Sequence, residues 1–240
     1  MSTGSPSSID DRVAALPWPE LQADLDAQGF AHTPAVLSPT ECTELAGLYD
    51  TGSFRSVVHM GRVRYGEGEY KYFDRPLPDA VAALRAAFYP PLADAANRWA
   101  QQLGGDERYP AELDAFLKRC HDAGQTRPTP LIFRYGTGNW NALHQDIYGD
   151  VAFSFQIVTV LGRPGEDFEG GEFVLVEQRP RAQSRPHVVA LRQGAFLIFT
   201  TRQRPVRGTR GYYRSTIRHG VSTVTAGRRT TLGVIFHDAA

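Results

Sequence analysis

The sequence has few cysteines and no long apolar run, and each of these shortages argues against a class of protein. It also has almost no lysine. Its two cysteines, Cys42 and Cys120, are far apart, so neither a disulfide framework nor a zinc knuckle is expected. No run of 18 apolar residues is present, and we expect no membrane span. The first residues, MSTGSPSSIDDR, lack the basic and apolar regions of a signal peptide, which predicts a cytoplasmic protein. No obligate protein partner is indicated.

Acidic residues are also missing from one long segment, although the net charge of the whole chain is zero. Between Glu177 and Asp238 there are twelve arginines and no acid, whereas residues 1–50 carry eight acids against one arginine. A basic segment of this kind can attract phosphate groups. Arginine outnumbers lysine by 24 to 2 over the whole chain, so a coding preference for arginine explains the excess equally well.

The first part of the chain has the patterns of helices. Ser38 and Glu41 have the spacing of a capping box, with Pro39 at the first helical position. Residues 77–105 have apolar positions at helical period, interrupted by two prolines and ended by two glycines, and residues 110–124 predict a third helix. Residues 54–73 predict one or two strands with a glycine-rich aromatic loop. We expect residues 1–16 to be a disordered tail.

From residue 129 the apolar period changes to two, and short strands alternate with glycine-rich turns. The strand segments are TPLIFRY, AFSFQIVTVL, GEFVLVEQ, HVVAL, GAFLIFT, RSTIRHGVSTV and RTTLGVIF. This regular pattern is typical of a closed or sandwiched antiparallel sheet. No linker separates the two parts, so we predict one domain over residues 17–240, with mostly helical residues 17–128 packed on a β core of residues 129–240.

His144 and Asp146 form the first candidate site, since on a strand they point the same way. A second histidine would complete a two-histidine, one-carboxylate set, which leaves three positions open on Fe(II). The alternative is that the two side chains simply hydrogen-bond to one another at a strand end. The histidines that could supply the third ligand are His121, His187, His219 and His237.

The segment after His219 predicts a hairpin whose returning strand begins with Arg228 and Arg229. An arginine at that place can bind a carboxylate through two parallel hydrogen bonds. The strand period does not decide which of the two arginines faces inwards, because both faces are partly apolar. A surface cation on the strand is the alternative.

Together these residues resemble the Fe(II)- and 2-oxoglutarate-dependent dioxygenases, in particular the prolyl-hydroxylase-like branch. The shared pattern is His-x-Asp, a distant histidine and a basic residue about ten positions later; a tyrosine lies nine residues before the first histidine in RYGTGNWNALHQD. The FEGGEF turn is also similar, and the x-G-x-R turn selects Arg229. The resemblance implies an α+β fold with a double-stranded β-helix core of the jelly-roll or cupin type and N-terminal helices packed on it. It also implies Fe(II) ligands His144, Asp146 and His219, and 2-oxoglutarate contacts Arg229, Tyr135 and Thr231.

Longer segments, among them FRSVVHMGRVRYGEGEYKYF, LHQDIYGD and RGYYRSTIRHGVS, resemble a bacterial family of 2-oxoglutarate–Fe(II) oxygenases from about residue 17 onwards. That family is described as acting oxidatively on methylated, damaged DNA, in the manner of AlkB-like enzymes. The resemblance therefore implies O2 as a further co-substrate, a benefit from ascorbate in vitro, and oxidative demethylation of DNA or RNA that is single-stranded or has a flipped base.

The candidate substrate contacts are arginines and tyrosines that could follow phosphates and stack on bases: Arg207, Arg210, Tyr212, Tyr213 and Arg214 before the third ligand, and Arg62 and Arg64 in a segment that could cover the site. An ordered loop paired with the acidic N-terminal helices is an equal interpretation of residues 201–219. Two other functions remain open. One is hydroxylation of a protein side chain or small molecule; the other is a non-catalytic cupin-like binding module.

Overall fold

The computed structural model describes residues 7–240, and within these residues six helices precede or flank the sheets. The helices are α1 (Ile9–Ala14), α2 (Trp18–Gln28), α3 (Pro39–Thr51), α4 (Met60–Val63), α5 (Asp79–Gln102) and α6 (Leu113–Asp122). Ser38 and Glu41 form the predicted capping box at the start of α3. No helix in the described part of the chain is long and apolar enough to cross a membrane.

The strands of the same described residues form two antiparallel sheets. The N-terminal strands are β1 (Phe30–Ala35), β2 (Phe54–His59), β3 (Gly66–Glu67) and β4 (Glu69–Phe73). The others are β5 (Leu131–Gly136), β6 (Trp140–His144), β7 (Phe155–Val160), β8 (Phe168–Gly170), β9 (Phe173–Gln178), β10 (Arg185–Val189), β11 (Ala195–Thr200), β12 (Gln203–Gly208), β13 (Gly211–Val221) and β14 (Val224–Ile235).

The two sheets differ in what covers them. The larger has the order β1-β11-β7-β14-β5-β4-β2, with β8 beside β14, and the smaller has the order β10-β9-β13-β6-β3, with β12 beside β13. Apolar side chains of the helices pack on one face of the larger sheet, and side chains from both sheets pack together on its other face. The smaller sheet consequently has one face towards this core and one towards solvent. The architecture is the predicted α+β one with a mainly β core.

Burial explains the sequence patterns of the strands. Strands β7 and β11 lie in the middle of the larger sheet and are buried at every position, which requires the near-continuous apolar runs FQIVTV and AFLIFT. Strands β9 and β13 of the smaller sheet alternate between buried and more exposed positions, so their apolar residues have a period of two. The inward positions of β13 include His219.

The structure corrects the prediction of a disordered tail over residues 1–16. Residues 9–14 form α1, because Ser8 and Asp11 make a capping box and Val13 is buried against the core of helices. Arg12 also donates two hydrogen bonds to Glu41. Residues 1–6 of the predicted tail lie outside the described residues.

Two other predictions about local structure need correction. Helix α5 continues through Pro90 and Pro91, which were expected to interrupt it, because its buried face packs along the larger sheet. The N-terminal part is mostly helical as predicted, and β2–β4 lie in the expected strand segment 54–73, to which the structure adds β1. The alternative of an ordered loop over residues 201–219 is wrong, since these residues form the hairpin of β12 and β13.

The contact between Arg12 and Glu41 leads to a prediction about stability. We expect Glu41→Gln to lower the free energy of unfolding at pH 7 by about 1 kcal/mol, the range of an ion pair with a helix cap. Hydrogen bonds from Arg12, and others from Ser38, lower the pKa of Glu41 to about 2 although partial burial opposes this. The stabilisation is therefore present above the unfolded pKa and is lost as the pH falls through about 2.

Urea unfolding of the two proteins at a series of pH values measures this effect. The difference in unfolding free energy should shrink as the pH is lowered from about 5 towards about 2, because the wild-type carboxylate becomes neutral like the glutamine. A difference that stays constant over this range would contradict the assignment of the lowered pKa to Glu41.

Candidate metal centre

His144, Asp146 and His219 converge at one end of the smaller sheet. His144 is the last residue of β6 and lies directly opposite His219 of β13, with the ring centroids 4.2 Å apart. Asp146 follows β6, and its Oδ1 is 3.5 Å from Nε2 of His144 while its Oδ2 is 3.1 Å from Nε2 of His219. One donor atom from each residue lies within 4.8 Å of the others. Two imidazoles and a carboxylate so placed could hold a divalent transition metal such as iron.

Both imidazoles are held so that Nε2 is directed at the cluster. Nδ1 of His144 donates to the carbonyl of Ala142 at 2.7 Å, which leaves Nε2 as the atom with the free lone pair. The ring of His219 stacks on Phe173 with centroids 5.6 Å apart, and Phe199 packs edge-on against it at 4.9 Å. Hydrogen bonding fixes one ring and aromatic packing fixes the other.

The charges in this cluster suit a cation. Burial alone would raise the pKa of Asp146, but His219 and His144 outweigh it and hold this pKa well below the ordinary value. Burial, assisted by the neighbouring His144 and opposed by Asp146, lowers the pKa of His219, which favours the neutral imidazole that a metal requires. In His144 burial also opposes the charge, but the carboxylate of Asp146 prevails and raises the pKa. Asp146 is therefore ionised in a buried place.

Arg229 lies in the same pocket as Asp146 and His219. It is in β14 opposite Tyr135 of β5, and its side chain is only 1% exposed. Burial lowers the pKa of Arg229 to about 10, so the guanidinium is still charged at neutral pH. Nη1 donates to Oγ1 of Thr231 at 2.6 Å, whereas Nη2 has no hydrogen-bond partner among the described residues. A buried cation with an unused donor is suited to a carboxylate ligand.

The three residues expected at the 2-oxoglutarate position all line this pocket. The ring of Tyr135 is buried with its centroid 5.5 Å from the Arg229 guanidinium carbon. Thr231 accepts a hydrogen bond from Arg229, so its own hydroxyl hydrogen can still be donated to a ligand. The FEGGEF turn is shaped for this arrangement, because a Cβ on Gly171 would approach Cδ of Arg229 to 2.8 Å. Arg228 is exposed on the opposite face, so the structure decides between the two arginines.

The other three histidines considered as third ligands lie elsewhere. His121 contacts Asp238, with 2.9 Å between Nε2 and Oδ2, and His237 accepts a hydrogen bond from the backbone of Phe153. His187 is on β10, at the outer edge of the smaller sheet. None of these three belongs to the cluster of possible metal ligands that the described residues form.

The predicted substrate contacts fall into two groups. Arg62 and Arg64 are exposed around α4, next to Tyr65, whose ring centroid is 6.0 Å from that of His144. The second group is on the β12–β13 hairpin, where Arg207 pairs with Tyr212 and where Arg210 lies in the turn. Tyr212 is on the exposed face of this hairpin and Tyr213 is on the other, partly buried face, so the two rings point to opposite sides of the hairpin.

The sequence analysis missed several side chains around the cluster. Tyr148 donates a hydrogen bond to Oδ1 of Asp146 at 2.6 Å, and Phe173 covers His219. Asn141 and Gln156 are buried polar residues that line the pocket. The tyrosine had a visible signal, because HQDIY places it two residues after Asp146. Gln156 lies in an apolar run and had no such signal.

Comparison with known proteins agrees with this geometry. The model of a family described as an oxygenase catalysing oxidative methylation of damaged DNA matches residues 68–239. The chain belongs to this oxygenase family. Uncharacterized proteins from two strains of Mycobacterium tuberculosis are each 51% identical to it over 168 residues, which are 70% of this chain and 72% of theirs.

Solved structures show the fold of this oxygenase. A prolyl-4-hydroxylase from Pseudomonas putida matches with a TM-score of 0.52 at 14% identity, covering 93% of this chain and 99% of that one. An oxidoreductase of the 2OG-Fe(II) oxygenase family from Burkholderia pseudomallei matches with a TM-score of 0.53 at 19% identity, over 100% and 96% of the two chains. The fold is thus the predicted double-stranded β-helix. The protein is an enzyme of the matched oxygenase family, so the alternative of a non-catalytic binding module is wrong.

Proposed function

We propose that residues 17–240 act as one dioxygenase domain that removes methyl groups from alkylated nucleic acid by oxidation. In this proposal His144, Asp146 and His219 hold Fe(II), and Arg229, with Tyr135 and Thr231, binds 2-oxoglutarate. The observation that carries it is the placement of three possible ligand atoms within 4.8 Å of one another, in a pocket that also contains a buried arginine with an unused donor.

The donor set and the cation fit the two groups that the oxygenase fold implies. Two imidazole nitrogens and one carboxylate oxygen suit Fe(II) and leave room for further ligands. Bound Fe(II) with 2-oxoglutarate and O2 supplies an oxidant for C–H bonds, with succinate and carbon dioxide as co-products. Hydroxylation of an N-methyl group gives an N-hydroxymethyl group, which releases formaldehyde and leaves the N–H. Ascorbate is expected to help in vitro by keeping the iron reduced.

The side chains of the pocket contribute by binding and orientation. Nη2 of Arg229 would donate to the far carboxylate of the co-substrate, while the hydroxyl of Thr231, which accepts from Nη1, holds the guanidinium in place. Apolar residues such as Phe173 and Phe199 line the remaining walls and limit the entry of water. The methyl group to be oxidised would approach beside His144, which is more exposed than His219 and lies next to Tyr65.

Two observations support nucleic acid as the substrate. The family that matches this chain is described as acting on damaged DNA. The exposed face of β13 carries Tyr212, Arg214 and Arg218 at alternate positions, with Arg207 opposite Tyr212. Tyr212 precedes His219 by seven residues, so at the rise of a strand the hairpin tip lies about 20 Å from the metal cluster. The hairpin would therefore contact nucleotides that flank the reacting base. Arg62 and Arg64 would be nearer to the reacting base than the hairpin is.

We predict that replacing Arg207 and Arg214 together with alanine weakens binding of single-stranded DNA and flattens its dependence on salt. Each phosphate contact that is lost should reduce the slope of log K against log salt by about 0.7. Fluorescence anisotropy with a labelled oligonucleotide at several salt concentrations measures both quantities. Arg163→Ala, which removes an exposed arginine paired with Glu166 and Asp167 on another loop, is the matched control and should leave the slope unchanged.

The reaction itself tests the substrate class. Single-stranded DNA carrying N-methylated bases, incubated with the protein, Fe(II), ascorbate and 2-oxoglutarate, should release formaldehyde in proportion to the succinate formed. If the double arginine variant binds DNA like the wild type and no formaldehyde is released, the nucleic-acid proposal is wrong. Hydroxylation of a protein side chain or a small molecule, with binding that does not depend on salt, would then be the better explanation.

A further inference from the structure

Tyr148 is placed to control the carboxylate of the metal cluster. Its hydroxyl lies 2.6 Å from Oδ1 of Asp146, and the residue is partly buried. Oδ2, the other carboxylate oxygen, faces Nε2 of His219 at 3.1 Å. Each oxygen thus faces one imidazole, since Oδ1 lies 3.5 Å from Nε2 of His144, but only Oδ1 also accepts a hydrogen bond from a phenol.

A second tyrosine extends this hydrogen bond into a chain. The hydroxyl of Tyr72, on β4, lies 3.0 Å from the hydroxyl of Tyr148. The ionised Asp146 can only accept, so the single proton of Tyr148 is donated to it, and Tyr72 must donate to the oxygen of Tyr148. The chain of donors therefore runs from Tyr72 through Tyr148 to Asp146. Arg55 lies over the ring of Tyr72 with 4.2 Å between the guanidinium carbon and the ring centroid.

Packing holds this chain in one position. The rings of Tyr72 and Tyr148 meet edge to face with centroids 6.2 Å apart, and Tyr148 also packs near His237 at 5.9 Å. Arg55 is itself anchored, because its Nε donates to the carbonyl of Pro128 at 2.7 Å. A tyrosine hydroxyl that is shielded from solvent commonly finds some polar partner. Here the partner is Oδ1 of Asp146, which lies between His144 and His219, so the hydrogen bond can also orient this carboxylate.

We propose that Tyr148 is a positioning residue that holds Oδ1 of Asp146 and thereby leaves Oδ2 as the carboxylate oxygen for the metal. This inference rests on the proposed function, because it assigns the metal to the His144, Asp146 and His219 cluster. Without the phenol, the carboxylate can turn about its Cβ–Cγ bond and can offer both oxygens to a metal. The carboxylate of Asp146 would then be less ordered before the metal binds, and it would coordinate the metal differently afterwards. Tyr72 supports the same geometry one step further away.

The test is the binding of Co(II) to the whole protein, followed by the visible absorption of the bound ion. We expect Tyr148→Phe to weaken Co(II) binding 10- to 100-fold, the usual effect of losing a partner of a metal ligand, and to change the shape of the absorption bands. Tyr72→Phe should have a smaller effect in the same direction, because it leaves the bond to Asp146 intact. Tyr89→Phe is the control, since it removes a phenol that donates only to the carbonyl of Pro110.

Two further measurements separate positioning from general destabilisation. Thermal unfolding of the metal-free proteins should be similar for Tyr148→Phe and Tyr89→Phe, because each keeps its ring packing. The KM for 2-oxoglutarate measured at saturating Fe(II) should change less than twofold in Tyr148→Phe, since the phenol does not contact Arg229. Equal Co(II) affinity and identical spectra in Tyr148→Phe and Tyr89→Phe would overturn the inference alone. A wild-type protein that binds no Co(II) would overturn the proposed metal site as well.

Discussion

Replacing His219 with alanine is expected to abolish both metal binding and the turnover of 2-oxoglutarate to succinate. The apparent affinity for Co(II) or Fe(II) should fall by more than about 100-fold, because even the loss of an outer hydrogen-bond partner of a ligand costs 10- to 100-fold. His219 is the informative position, since it comes from β13 and joins a site whose other two members lie two residues apart. Titration with Co(II) and a succinate assay measure the two effects.

The control for this prediction is a histidine outside the cluster. His32→Ala changes an exposed histidine on β1, at the edge of the larger sheet, and should leave metal binding and turnover as in the wild type. Thermal unfolding of the metal-free His219→Ala protein shows whether the fold persists. A folded variant that still binds the metal and forms succinate would remove His219 from the proposed site, and with it the argument for a two-histidine, one-carboxylate centre.

The sequence predicted the strands best where burial leaves a simple signature. The runs FQIVTV and AFLIFT are buried on both faces, and the alternating pattern of GEFVLVEQ follows its one buried face. Strand β12 was missed because its sequence, QRPVRG, has charged residues and a proline. Its pairing with β13 supplies the missing stability, and its inward arginine, Arg204, is buried in contact with Glu177.

Two helical features depend on contacts between distant parts of the chain. The helix α1 follows a capping box that the sequence already contains, but its docking depends on the contact of Arg12 with Glu41 and on the burial of Val13. Helix α5 keeps its course past two prolines because residues on both sides of them are buried on the larger sheet. Helix propensity alone could not predict either result, because tertiary packing outweighs it.

Different residues of the candidate site were predicted from different kinds of sequence evidence. Spacing indicated His144 with Asp146, but the third histidine and the choice of Arg229 over Arg228 came from family resemblance, and only the strand pairing in the structure brings these residues into one pocket. The substrate contacts stay predictions. The residues Tyr212 and Tyr213 are neighbours in sequence, yet on a strand they face opposite sides, and the hairpin that carries them is distant from the metal cluster.

The strand pairing places the proposed metal ligands and the proposed 2-oxoglutarate contacts on different sheets. The smaller sheet carries His144 and His219, whereas the larger sheet carries Arg229, Thr231 and Tyr135. We therefore expect that a substitution in the larger sheet can weaken co-substrate binding without weakening metal binding. A variant in the larger sheet that weakens only co-substrate binding would show that the pocket is divided in this way.

Arg229→Ala is the variant expected to do so. It removes the buried cation and its unused donor, so we expect the KM for 2-oxoglutarate to rise about 10- to 100-fold, as a hydrogen bond to a charged group contributes about 1.5–3 kcal/mol. The affinity for Co(II) should change less than about threefold, since Arg229 is not among the possible ligands. Arg229→Lys should recover part of the loss, because it keeps the charge but not the planar guanidinium.

The neighbouring Arg228 provides the matched control, because it is exposed on the other face of the same strand and changes the net charge equally. Arg228→Ala should leave the KM for 2-oxoglutarate and the Co(II) affinity unchanged, which excludes a general electrostatic effect. If Arg229→Ala weakened metal and co-substrate binding by the same factor, the arginine would be a structural residue of β14. If it changed neither, the carboxylate of the co-substrate would have to bind elsewhere, and the pocket would contain a buried cation without a ligand.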